Sequence, residues 1–166
     1  MKILPVLLVA ALGAGPVIAA TATATPADRA FVAKVSQGGM FEVDAGKLAE
    51  TKGSTQDVRD FATAEVHDHM LVGARLKAIS SSEGIAIAAA PNAEFAGKMA
   101  TLKGLSGAAF DDAYMRDMAA LHDADGAAFA KESTDGGSPA YRAFGAETHK
   151  IVQRHIGAIH GAQPPR

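Results

Sequence analysis

The sequence predicts an all-α fold, an antiparallel four-helix bundle, and three observations lead there. Apolar and small residues recur at helical spacing in four long segments. Short breaks rich in Gly, Ser and Pro separate those segments, which favours antiparallel neighbours. Alanine is abundant, Trp is absent and β-branched runs are nearly lacking, a composition suited to closely packed helices.

The chain of 166 residues opens with Met1-Lys2, an apolar run from Ile3 to Ala14, and then Gly15-Pro16 and small residues. This pattern predicts a secretory signal peptide over 1–22, with small-x-small cleavage sites at Ala20-Thr21-Ala22 and Ala22-Thr23-Ala24. The run is too short for a membrane span, so no stable membrane insertion is expected after cleavage, and the mature chain is expected to be periplasmic or secreted. No lipobox cysteine is present to carry a lipid anchor, and with no Cys anywhere, neither disulfides nor thiolate ligands are available.

The mature part is expected to be one domain over 27–160, with 161–166 a disordered tail. The first long helix is expected from Ala27 to Lys52, with Phe31, Val35, Gly38, Ala45 and Ala49 on one stripe. Gly53-Ser54-Thr55 breaks it and caps a second, to about Ser82, through Val58, Phe61, Ala62, Val72, Leu76 and Ile79. A crossover from Glu83 to Pro91 leads into a short extra helix, Asn92 to Lys103, expected to cover one end of the bundle. The third long helix carries Phe110, Tyr114, Met118, Leu121 and Phe129 to about Ser133. Asp135-Gly136-Gly137-Ser138-Pro139 then stops and restarts the chain. The last helix runs from Pro139 to about His160 with Tyr141, Phe144, Thr148, Ile151, Val152 and Ile159 inward. A faint repeat links Val58-Arg59-x-Phe61-Ala62 with Tyr141-Arg142-x-Phe144-Gly145, as if two hairpins were related.

The net charge is −2 and the basic residues are scattered, which argues against nucleic acid and anionic membrane surfaces as partners. No Ser/His/Asp arrangement, phosphate loop or nucleophile elbow is visible, so no catalytic residue is assigned.

What stands out is a polar residue in the inward row of each long helix. Glu42 returns to the face of Val35 and Ala49; Glu65 and His69 share the face of Phe61, Val72 and Leu76; His122 lies with Met118 and Phe129; His155 lies with Ile151 and Ile159. Counted from the turn near Gly53, Glu65 is level with Glu42, and His69 is roughly 6 Å further at the helical rise. His67 and His149 fall off the rows and are expected at the surface, and His160 at a frayed end. His67 and His69 cannot chelate together while helical, and Met115 and Met118 at helical spacing read as core filling. Imidazoles and carboxylates brought by four helices to the middle of a bundle are how ferritin-like folds build metal sites. Neutral His with carboxylate suits a divalent transition metal such as Zn, Cu or Fe. A dinuclear iron oxidase is not expected, because the spacing here is Glu-x-x-x-His and two inward Glu are too few.

The chain also resembles the bacterial exported family known as domain of unknown function 4142, grouped with ferritin-like bundles. The resemblance rests on Phe31 and Glu42 with Gly46-Lys47-Leu48-Ala49, Val58-x-x-Phe61-Ala62, Asp68-His69, Phe110-Asp111-x-x-Tyr114, His122 and His155. It implies a pattern of one Glu and three His, mapping onto Glu42, His69, His122 and His155. Two positions depart from it: Glu65 replaces a usually apolar residue and could add a fifth ligand, and His149-Lys150 replaces a typical Leu-Pro. Two readings follow. One is a metal carrier, buffer or stress-related protein using Glu42, Glu65, His69, His122 and His155; the other is a non-catalytic structural or interaction module whose buried Glu–His network fixes helix register. A metal-dependent enzyme would further need an open coordination position.

Overall fold

The computed structural model describes residues 24–161; the expected leader and the tail beyond Gly161 lie outside them. Five helices follow in order: α1 (Pro26–Lys52), α2 (Gln56–Ser82), α3 (Ala93–Gly104), α4 (Gly107–Asp135) and α5 (Pro139–Ile156), which ends in a π-helical turn over Gly157–Gly161. The described residues contain no strand. They contain no helix long and apolar enough to cross a membrane.

The helix ends follow from local chemistry. Thr25 and Asp28 form a capping box on α1, each side chain accepting from the other's backbone N–H, with Pro26 at the first helical position. Thr55, Asn92 and Ser138 accept from the first turns of α2, α3 and α5. Gly107 opens α4 with φ of +59°, a left-handed conformation that favours glycine. The last helix stops being α-helical at Ile156, one turn before the sequence pattern ends, and its final turn widens into the π form.

Helix α1 packs along α2, α4 along α5, and the two pairs join through α1 with α4 and α2 with α5. The connections between paired helices mirror each other. Asp111, near the start of α4, accepts from the backbone N–H groups of Ser54 and Thr55 between α1 and α2. Asp28, near the start of α1, accepts from those of Gly137 and Ser138 between α4 and α5. Arg59 donates to the Gly53 carbonyl and Arg142 to that of Gly136, both at 2.6 Å. The repeated sequence thus marks equivalent helix starts, each pinned by an aspartate from the other pair.

The apolar interior has two parts. One holds Phe41, Ala45, Ala62, Phe110, Tyr114 and Met118, near the α1–α2 connection. The other holds Phe31, Val35, Leu76, Phe129, Tyr141 and Phe144, near the α4–α5 connection. Between them lies a layer of buried polar side chains. Helix α3 does not cap an end. It lies along the flank made by α1 and α4, with Phe95 stacked on Phe41 at 5.1 Å, Leu102 fully buried, and Lys52 donating to the Lys103 carbonyl. Its apolar residues Phe95, Met99 and Leu102 pack there against the cluster around Phe41 and Phe110.

Candidate metal centre

The polar layer is built from α1 (Glu42), α2 (Glu65, His69), α4 (His122) and α5 (His155), and all five residues are at least 95 % buried. Their places follow from the stripes. Each is followed or preceded at helical spacing by a buried apolar residue of the same helix, such as Ala45, Ala62, Met118 and Val152. The vertical register differs from the simple count. His69, not Glu65, lies opposite Glu42, with Nδ1 2.9 Å from a Glu42 oxygen. Glu65 sits one turn nearer the connection, against Gly46, where a Cβ would meet its side chain at 3.8 Å. The count from Gly53 misses this because α1 ends at Lys52 and α2 begins only at Gln56.

Four of the five converge. Glu65, His69, His122 and His155 each present an atom within 4.8 Å of the others. His122 Nε2 lies 3.1 Å and His155 Nδ1 2.5 Å from Glu65 Oε1, while His69 Nε2 lies 3.3 Å from Glu65 Oε2. His122 Nε2 and His155 Nδ1 are 3.2 Å apart. Glu42 stands outside this group, behind His69, with its other oxygen 3.6 Å from His122 Nδ1.

The far nitrogens decide the protonation pattern. His69 Nδ1 faces the Glu42 carboxylate, His122 Nδ1 lies 2.9 Å from the Met118 carbonyl, and His155 Nε2 lies 3.0 Å from Asp68 Oδ2. Each of those partners only accepts, so each far nitrogen carries the hydrogen. In the neutral rings His69 Nε2, His122 Nε2 and His155 Nδ1 then hold bare lone pairs, all directed at one carboxylate. While the rings are neutral no donor reaches the carboxylate: both Glu65 oxygens, His69 Nε2 and one Glu42 oxygen are buried without a hydrogen-bond partner. Such a set is held together only by positive charge placed among the lone pairs, as protons or as a cation. A tetrahedral ion with bonds of about 2.0–2.1 Å needs ligand atoms about 3.4 Å apart. The separations within the group run from 2.5 Å, between His155 Nδ1 and Glu65 Oε1, to at most 4.8 Å, and bracket that value.

When no cation supplies that charge, protons do. Burial pushes the Glu65 carboxyl up, but hydrogen bonds and charge from His122, His155 and His69 outweigh it and hold it at about 2. Burial opposes the His69 cation, yet Glu42 above all, then Glu65 and Asp125, raise it to about 9. His122 is also raised against burial, by its hydrogen bond to Glu65 and the charges of Glu42 and Glu65.

Two carboxylates at this layer escaped the sequence reading. Asp68 fixes the His155 ring from the rim, and its position three residues after Glu65 is the signal that would have found it. Asp125, three residues after His122, is 3 % exposed and is driven up to about 7 by burial and the Glu42 charge, against the opposing pull of Lys34. His149 is not a surface residue: it is half-buried, with Nδ1 3.1 Å from the Gly126 carbonyl, because Gly126 lets α5 approach α4 closely. His67 is exposed beside Asp68, and His160 pairs with Asp123 at the surface.

The whole layer sits within the span matched by the family described as domain of unknown function (DUF4142), residues 14–161. The chain belongs to the DUF4142 family. The crystal structure of a DUF305 fragment from Deinococcus radiodurans is similar in fold, with a TM-score of 0.73 and 16 % identity over 84 % of this chain and 96 % of that one. No curated protein sequence matches. Within the DUF4142 chain, Glu65 is the residue at the middle of the cluster.

Proposed function

We propose that this chain is an exported, periplasmic protein that folds as a ferritin-like four-helix bundle and binds one divalent transition metal. Glu65, His69 Nε2, His122 Nε2 and His155 Nδ1 supply the ligands. Glu42 and Asp68 accept from the far nitrogens of His69 and His155 and so hold the rings in the binding tautomer. The observation that carries this reading is the set of three imidazole nitrogens and a carboxylate facing one another, with no donor among them while the rings are neutral. A bound Zn, Cu or Fe ion would supply the missing positive charge; carriage, buffering and metal-stress protection are the roles that fit four interior ligands on a small exported bundle. Export rests on the charged, apolar and small-residue pattern of the first 24 residues.

A purely structural network is the second reading, favoured by the raised His69 and lowered Glu65, which allow protons to supply the charge. Thermal unfolding separates the two. A ligand held at a thousand times its Kd stabilises by about 4 kcal/mol, so excess zinc should raise the melting temperature of the wild-type mature protein and leave His122→Ala unmoved. A structural network predicts that His122→Ala lowers the melting temperature equally with and without the metal.

A further inference from the structure

A cleft of about 770 Å³ opens between α1 and α2 beneath the segment that joins α2 to α3. Its walls are apolar: Met40 and Val43 from α1, Met70 and Leu76 from α2, and Ile85 and Ile87 from the joining segment. The volume lies in the range of small-molecule sites. Its deep end is different. There Glu42 and Asp125, both buried, line it beside His69, and Glu42 Oε1 and Asp125 Oδ1 are buried acceptors with no hydrogen-bond partner. The nearest ammonium to Asp125 is Lys34 at 3.7 Å, beyond a hydrogen bond, and Lys34 donates instead to the Ala124 carbonyl. Lys77, the lysine that lines the cleft, is exposed.

Two helical glycines support the view that the space is kept open. Where glycine serves close packing, a Cβ would collide, as at Gly46 against Val66 at 2.7 Å or Gly145 against the Ser133 backbone at 2.9 Å. Gly39 and Gly73 line the cleft from its two helices, and a Cβ at either meets nothing within 4 Å. A glycine inside a helix is unfavourable, and at these two positions tight packing does not account for it.

We propose that this cleft binds a small amphiphile with a primary ammonium head and an apolar tail, the head against Glu42 and Asp125 and the tail along the apolar walls. Two buried carboxylates at the closed end favour a donor-rich cation, and a carboxylate head would meet Glu42 and Asp125 there. Glu42 and His69 join the cleft to the metal layer, but neither carboxylate assigned to the head is a metal ligand, so the inference is tested with and without an ion at the centre.

Calorimetric titration of the mature protein, metal-free and zinc-loaded, with octylammonium, octanoate and octanol provides the test. Octylammonium should bind one per chain, at least tenfold tighter than the other two, in both forms. Asp125→Asn should weaken it about tenfold while leaving zinc stoichiometry unchanged. Gly39→Leu/Gly73→Leu, which adds side chains at positions with free space, should abolish it without lowering helicity. Absence of saturable octylammonium binding, equal binding of all three compounds, or binding unaffected by the double glycine variant would each overturn the proposal. Because zinc is measured separately, failure here is distinct from failure of the metal reading.

Discussion

The three interior histidines act as a set because each has one nitrogen fixed by an acceptor outside the cluster. Removing that acceptor frees the ring to turn or change tautomer without removing a ligand. Glu42→Gln and Asp68→Asn are therefore expected to weaken zinc binding by about 10–100-fold each while preserving one site per chain. Competition with a chromophoric chelator checks this, and unchanged affinity in both variants would mean that the rings are positioned by packing alone. At this scale the sequence was informative but incomplete. Helical spacing placed Glu42, Glu65, His69, His122 and His155 inward, and all five are buried. It could not say that Glu65 rather than Glu42 lies among the three imidazoles, because that depends on how far α2 slides along α1. Asp68 was hidden for another reason: it lies one helical step off the inward row and reaches in from the rim.

Two carboxylates, Asp28 and Asp111, both hold helix starts and join the two pairs. Asp28 accepts from the Thr25 backbone N–H at the start of its own helix and from Gly137 just before α5, and it lies beside Glu132 from the last turn of α4. Burial and the neighbouring Asp28 carboxylate push Glu132 up from 4.5 to about 7. In the folded protein Glu132 therefore keeps its proton to higher pH than in the unfolded chain. Between about pH 4.5 and pH 7 the unfolded state releases that proton first, so this group makes stability fall as pH rises. Glu132→Gln keeps a donor for Asp28 and cannot ionise. It should match wild type near pH 4 and exceed it by about 1–3 kcal/mol near pH 8, measured by urea denaturation; a constant difference across that range would show that Glu132 does not titrate in this way. The same repeat could have been read further from the sequence. Asp28 and Asp111, Gly53 and Gly136, and Arg59 and Arg142 are each 83 positions apart, and so are Glu42 and Asp125. Carrying that offset through α1 and α4 would have placed Asp125 at the polar layer. Helix α3 was legible as an element but not as a position, since a short amphipathic helix shows which face is apolar and not which groove receives it.

In the molecule as a whole, two apolar clusters sandwich a buried polar layer that stability alone would not favour. Each unsatisfied buried polar atom costs about 1–3 kcal/mol, and four such atoms belong to Glu42, Glu65 and His69. An apolar layer of the same volume would join the two cores without that cost. The all-α architecture followed from periodicity and short breaks, because antiparallel neighbours leave the chain few alternatives. The cleft was not legible, because it arises where the segment from Glu83 to Pro91 passes over α1 and α2, and loop paths leave no periodic trace. The central claim concerns the polar layer, and equilibrium titration of the purified mature protein with Zn, Cu, Fe and Mn under chelator competition tests it most directly. One ion per chain should bind tightly, and Glu65→Gln combined with His155→Ala should abolish that binding while the helical spectrum persists. Failure of all four metals to bind near stoichiometrically, or undiminished binding in the double variant, would contradict it.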